Sequence, residues 1–230
     1  MANTLLFDLD GTLLDSVDDL TVAINNTLTS LALKTITRND VTLFIGKGAK
    51  VLVQRALEKS CGEKPDENTV LKILPRYLSE MKLAEGTRTK QLPGVPQSLK
   101  ALQKAGFKMA IVTNKPAAIA RRLASQFNLM PYFETILGAG DVDSVKPNPE
   151  MLIEAAHRMG VSIRDCVMIG DSMNDSLAAR NAGIRAYLLK TVYNEGVVID
   201  QWAKENAPDD LVFNTMTELS EYLINERRTN

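Results

Sequence analysis

Short apolar runs recur along this chain, separated by stretches of helical periodicity, and this alternation restricts the fold more than any other feature. The runs are Thr4 to Phe7, Phe107 to Val112, Thr135 to Leu137, Cys166 to Ile169, residues 184–189 and Leu211 to Phe213. They show little polar alternation, as expected of strands covered on both faces. Helical patterns lie between them, over Val95 to Lys104, Pro116 to about Phe127, Pro149 to Met159, about 175–182 and near 198–205, with a last helix from Thr217. Strands alternating with helices predict an α/β fold built on a doubly wound parallel sheet.

One region departs from the alternation. Ser16-Val17-Asp18-Asp19 reads as a capping box that opens a helix reaching about Leu31, and Thr37 to Asp40 opens a second, short helix ending near Ile45-Gly46-Lys47-Gly48. Helices follow over Ala49 to Cys61 and about Pro65 to Ala84, the latter expected to break at Pro75. No strand candidate falls among these residues. The expected division is a core domain of residues 1–15 and 87–230, with an inserted small all-helical domain of residues 16–86.

Composition narrows the function. Charged residues make up 24% of the 230 and the formal net charge is -1, so no basic footprint for nucleic acid is present. The start of the chain does not read as a secretory signal, and no apolar run approaches the ~18 residues of a membrane span. The expectation is a cytoplasmic protein that binds neither nucleic acid nor membrane, as a monomer or small homo-oligomer. Cys61 and Cys166 stand far apart without a Cys/His grouping for zinc and are expected to be buried packing thiols. His157, the single histidine, falls on an ordinary amphipathic helix and is expected to be structural, which disfavours Ser-His-Asp and Cys-His chemistry.

In an open parallel sheet the ligand crevice lies beyond the carboxyl ends of the strands. The polar residues at those ends are Asp8 and Asp10, Thr113 and Asn114, the loop carrying Lys146, and Asp171 with Asp175. Any one of them reads equally as turn chemistry or a helix cap. Together, several carboxylates with one lysine and hydroxyl or amide donors suit a hard cation such as Mg²⁺ and a phosphoryl group.

The ordered set DLDGT, TN, KP and GDSMND resembles the four motifs of the haloacid dehalogenase superfamily, and the helical insertion resembles its small helical cap. The match spans essentially the whole chain. Within the superfamily, DGTLLDS, FIGKGAKVLVQRAL, TNKP, KPNPEML and GDSMND followed by AARNAG are most similar to the phosphoglycolate phosphatases. The resemblance implies a Rossmann-like core and a Mg²⁺-dependent phosphomonoesterase that converts 2-phosphoglycolate to glycolate and phosphate through an aspartyl-phosphate. It implies Asp8 as nucleophile, Asp10 as general acid and base, and Asp8, Asp171 and the Asp10 carbonyl as metal ligands, with Asp175 behind them. Thr113, Asn114 and Lys146 would bind the phosphoryl oxygens, and the Gly46-Lys47-Gly48 turn of the cap would receive the substrate carboxylate on backbone N–H groups. Core motifs leave open a phosphomutase of the same fold, or a phosphatase for a sugar phosphate, nucleotide or pyrophosphate. Asp10 disfavours a dehalogenase, and the intact set of positions disfavours a catalytically inactive binding module.

Overall fold

The computed structural model describes residues 3–191, 193 and 195–229. From β1 (Thr4–Phe7) the chain passes through a two-residue strand, β2 (Leu14–Asp15), into the helices α1 (Val17–Ser30), α2 (Arg38–Phe44), α3 (Ala49–Cys61) and α4 (Glu67–Ala84). It returns through β3 (Lys90–Gln91) and then alternates: α5 (Val95–Lys104), β4 (Lys108–Pro116), α6 (Ala117–Gln126), β5 (Thr135–Ala139), α7 (Glu150–Arg158) and β6 (Cys166–Gly170). The series closes with α8 (Met173–Asn181), β7 (Ala186–Leu189), α9 (Ile199–Asn206), β8 (Leu211–Phe213) and α10 (Met216–Arg228).

Strands β5-β4-β1-β6-β7-β8 form, in that order, a six-stranded sheet in which every pairing is parallel. β1 is central, with Leu6 opposite Ala110 of β4 and Met168 of β6. Successive strand side chains point to opposite faces. Leu5 and Phe7 therefore join one core with Leu99 of α5, Leu123 of α6 and Leu219 of α10, whereas Leu6 joins a second core with Leu152 of α7, Ala178 of α8 and Ala203 of α9. Each of these β1 side chains is fully buried, contributing roughly 1.5–3 kcal/mol. Burial on both faces is the reason the run is apolar throughout, and the result is the doubly wound α/β sheet that the alternation predicts.

Helices α1, α3 and α4 pack through Ile24, Leu28, Val53, Ala56, Val70 and Tyr77. Their two connections to the sheet run side by side, because β2 and β3 pair antiparallel with Leu14 opposite Gln91 and Asp15 opposite Lys90. Asp19 fastens the same junction. Its carboxylate accepts the N–H groups of Gly86, Arg88 and Thr89 at 2.8, 2.8 and 3.0 Å, and the hydroxyls of Thr87 and Thr89 at 2.9 and 2.6 Å. Burial opposes the charge, but these bonds outweigh it and hold the Asp19 pKa below the usual carboxylate value.

That clamp replaces the expected capping box at α1. Ser16 occupies the N-cap position without a side-chain cap bond, and its hydroxyl instead donates to Asp10 at 2.5 Å. The Thr37–Asp40 box of α2 does form. α4 runs through Pro75 without a break. Pro75 and Leu71 lie on the exposed side of the helix, where water can satisfy the carbonyl that proline leaves free, while Val70, Tyr77 and Met81 anchor the other side. β4 continues beyond Val112 through Thr113, Asn114 and Lys115 to Pro116, with a register shift against β5 over that stretch. Cys61 is exposed at the end of α3 rather than buried, whereas Cys166 is buried. His157 is exposed on α7, 3.6 Å from Glu154. Among the described residues no helix is long and apolar enough to cross a membrane.

Candidate active site

β1 and β6 end side by side, and each delivers a carboxylate there. The Asp8 N–H donates to the Ile169 carbonyl at 2.8 Å, and Asp171 follows directly on the last residue of β6. Gly11, at φ +84°, turns the chain back after Asp10, and a Cβ at that position would lie 2.2 Å from Asp171 Oδ2. Only glycine both takes this conformation freely and leaves room for the two loops to meet.

Lys146, from the loop between β5 and α7, places its ammonium 3.0 Å from Asp8 Oδ1 and 2.6 Å from Asp175 Oδ1. The second Asp175 oxygen closes a capping box at the start of α8, accepting the Ser172 N–H at 3.1 Å and hydroxyl at 2.7 Å, with the Asp171 N–H at 3.2 Å. Gly170 makes room for this, since a Cβ there would stand 2.3 Å from Asp175 Cγ. Asp175 thus has both oxygens engaged and orients Lys146 and the Asp171-Ser172 backbone. Asp171 is itself held by hydroxyls, Thr12 on Oδ1 at 2.9 Å and Thr191 on Oδ2 at 2.7 Å.

Oxygens of Asp8, Asp171 and Asp175 lie within 4.8 Å of one another. Burial raises the Asp8 pKa to about 6, with Lys146 opposing and Asp175 adding to the rise. Burial, then Asp175 and Asp8, push Asp171 well above the ordinary carboxylate range. Such a cluster is repulsive by itself, and an all-oxygen donor set fits a hard divalent cation such as Mg²⁺, whose charge would relieve it.

Asp10 stands apart from that cluster. Lys115, the residue after Asn114 on β4, holds it with Nζ 2.8 Å from Oδ2 and 3.0 Å from Oδ1, and the same ammonium lies 2.7 Å from Glu85 Oε1 at the end of α4. Burial opposes the Lys115 charge, but Asp10 and Glu85 outweigh it and raise the pKa above that of a free lysine. Neither Lys115 nor Glu85 stands out from sequence pattern. The signal for Lys115 is its place in the TNKP stretch at the strand end, and Glu85 gives none. The Asn114 side-chain amide is engaged within the fold, donating to the Lys146 carbonyl at 2.8 Å and the Gly46 carbonyl at 3.0 Å. It ties β4 to the Lys146 loop and the α2–α3 turn rather than turning those donors to a phosphoryl group.

A cavity of about 50 Å³ lies between the strand ends and the helices. Asp8, Asp10, Thr113, Lys115 and Asp171 line its floor, and Leu20, Ile45, Leu52, Tyr77 and Met81 its roof. Gly46 and Gly48 border it, with Gly48 at the N-cap of α3. Lys47 does not. Its ammonium lies 3.0 Å from Glu195, on the loop before α9, which also pairs with Arg55 of α3 at 2.7 Å.

A family model described as haloacid dehalogenase-like hydrolase matches residues 5–189. The phosphoglycolate phosphatase of Vibrio parahaemolyticus is 37% identical over 217 residues, covering 94% of this chain and 93% of that protein. That of Colwellia psychrerythraea is 37% identical over 203 residues, covering 87% and 90%. The crystal structure of a predicted phosphoglycolate phosphatase from Haemophilus somnus superposes with a TM-score of 0.87 at 28% identity, covering 96% of this chain and 98% of that one.

Proposed function

The chain belongs to the haloacid dehalogenase-like hydrolases, and from that premise we propose that it is a Mg²⁺-dependent phosphomonoesterase that hydrolyses 2-phosphoglycolate to glycolate and phosphate. The observation that carries the reading is the separation of two carboxylates at one strand end. Asp8 sits in the acidic cluster against Lys146, while Asp10 is held outside it by Lys115 and Ser16. This separation supports a reading of Asp8 as nucleophile and Asp10 as proton carrier. The name shared by the curated relatives supports the substrate.

Asp8 attacks phosphorus through Oδ2, since the Leu9 N–H at 2.7 Å and Lys146 both bind Oδ1. The bond from phosphorus to the glycolate oxygen breaks as the Asp8–phosphorus bond forms, and the Asp10 carboxyl gives its proton to the departing oxygen. Asp10 then takes a proton from water, whose oxygen attacks the aspartyl-phosphate, freeing phosphate and restoring the Asp8 carboxylate. Lys146 neutralises charge between Asp8 and the phosphoryl group, and Thr113 with the Asn114 N–H binds its oxygens. Asp8, Asp171 and the Asp10 carbonyl would hold Mg²⁺, which when bound screens the phosphoryl oxygens from the nucleophile.

The test is phosphate release across a panel of small phosphomonoesters with Mg²⁺. A kcat/KM highest for 2-phosphoglycolate is expected. A preference for hexose phosphate, or its turnover without phosphate release, would replace the reading with another activity of this fold.

A further inference from the structure

Resting on 2-phosphoglycolate as the substrate, we propose that Lys115 is the residue that reads the substrate's carboxylate. The substrate brings two anionic groups to the site, and Lys146 is committed to the phosphoryl end by its contacts with Asp8 and Asp175. Among the described residues that line the cavity, Lys115 is the one cation. The roof around it is mostly hydrocarbon, with Leu20, Ile45, Leu52 and Met81. A carboxylate lodged there would meet backbone of the Gly46–Gly48 turn but, without Lys115, no opposite charge among the lining residues to offset its lost hydration.

Position supports the same role. Asp10 serves the leaving oxygen, and the Lys115 ammonium is bonded to Asp10 at 2.8 Å. Lys115 is therefore one carboxylate away from that oxygen. In 2-phosphoglycolate the carboxylate begins one methylene beyond the same oxygen. The ammonium also has a built socket: it is buried, Glu85 fixes it from the α4 side at 2.7 Å, and the side facing the cavity holds a carboxylate, that of Asp10. An ammonium has three donors. One remains with Glu85 when Asp10 turns to the leaving oxygen, and the substrate carboxylate takes up the others. Lys47, the basic residue of the neighbouring turn, is drawn away to Glu195.

The experiment compares kcat/KM for 2-phosphoglycolate and ethyl phosphate, which share the phosphoryl group and an alkyl leaving oxygen but differ in the carboxylate. Their ratio cancels any general loss from a disturbed Asp10. The variants are Lys115→Met and the double variant Lys115→Met/Glu85→Gln, the second removing the buried Glu85 charge that the first leaves alone, so that a variant with balanced charge carries the test if the single one does not fold. In wild type the ratio should be large, and in folded variants it should fall by about 10- to 100-fold, the worth of a charge-assisted bond. A large wild-type ratio that the variants retain, with both substrates falling equally, would overturn the assignment of Lys115 while leaving the substrate intact. A wild-type enzyme with no preference for the carboxylated ester would overturn the substrate reading and this inference together.

Discussion

The carboxylate of Asp19 accepts both the backbone N–H and the hydroxyl of Thr89, at 3.0 and 2.6 Å, and so joins the first turn of α1 to the chain leaving α4. With the β2–β3 pair beside it, this makes the entry and exit of the helical segment one junction. We propose that residues 16–86 move about this junction as a lid over the cavity. Asp19→Ala leaves several donors without their acceptor and should lower the unfolding free energy at pH 7 by about 2–4 kcal/mol. Because the folded pKa is depressed, this contribution is complete above the usual carboxylate pKa and fades as pH falls through the lower folded value. Urea melts of both proteins measure it, and a loss below about 0.5 kcal/mol at pH 7 would remove the clamp from the account.

Asp8 and Asp10 should fail differently when each becomes asparagine. Asp8→Asn cannot form the acyl phosphate and should have no turnover with any ester. Asp10→Asn should keep slow attack on an aryl phosphate, whose leaving group needs no proton, with a drop of about 10²–10⁴-fold on 2-phosphoglycolate, the range of general acid-base catalysis. Identical profiles for the two variants across both substrates would contradict the separate roles.

The acidic cluster makes metal binding and stability depend on pH in a stated direction. With Asp8 raised to about 6 and Asp171 also held well above the ordinary carboxylate range, the metal-free fold binds more protons than the unfolded chain above the ordinary carboxylate pKa. These groups therefore stabilise the fold at low pH and cost stability as pH rises through about 6. Mg²⁺ competes with those protons, so the Tm increase it gives should be small at pH 5 and larger at pH 7.5. EDTA should abolish activity reversibly. A Tm increase independent of pH would exclude this cluster as the binding site.

Glu195 joins the core to α3 and its preceding turn through Arg55 and Lys47. If these pairs hold the lid shut, Glu195→Gln should raise KM for 2-phosphoglycolate about two- to fivefold at low ionic strength, in keeping with partly exposed pairs. High salt should narrow the gap from wild type. Unchanged KM at low salt would leave these pairs without a role in closure.

The sheet is legible because its strands are apolar on both faces, and short strand-end motifs point to Asp8, Asp10, Thr113, Lys146, Asp171 and Asp175, which the fold gathers at one edge of the sheet. Contacts across the junction are not. Ser16 and Asp19 carry a local capping pattern, yet their partners are Asp10 and residues 86–89, which no local spacing reveals. β2 and β3 are two residues each, too short for any periodicity. Lys115 was hidden because β4 shifts register between Val112 and Pro116, so simple strand alternation does not say where its side chain points. Asn114 sits at a strand end as expected, but only the packed structure shows its amide turned to Gly46 and Lys146.

The central claim is that Asp8 carries the phosphoryl group during hydrolysis of 2-phosphoglycolate, and the measurement that reaches it most directly is chemical trapping. Wild-type protein turning over 2-phosphoglycolate with Mg²⁺ is quenched with borohydride, which reduces an aspartyl-phosphate to homoserine, and the peptides are mapped by mass spectrometry. Homoserine is expected at position 8, with Asp10, Asp171 and Asp175 unmodified and no labelling when substrate is omitted. Homoserine at one of those other positions, or rapid phosphate release with no modification at Asp8, would contradict the central claim.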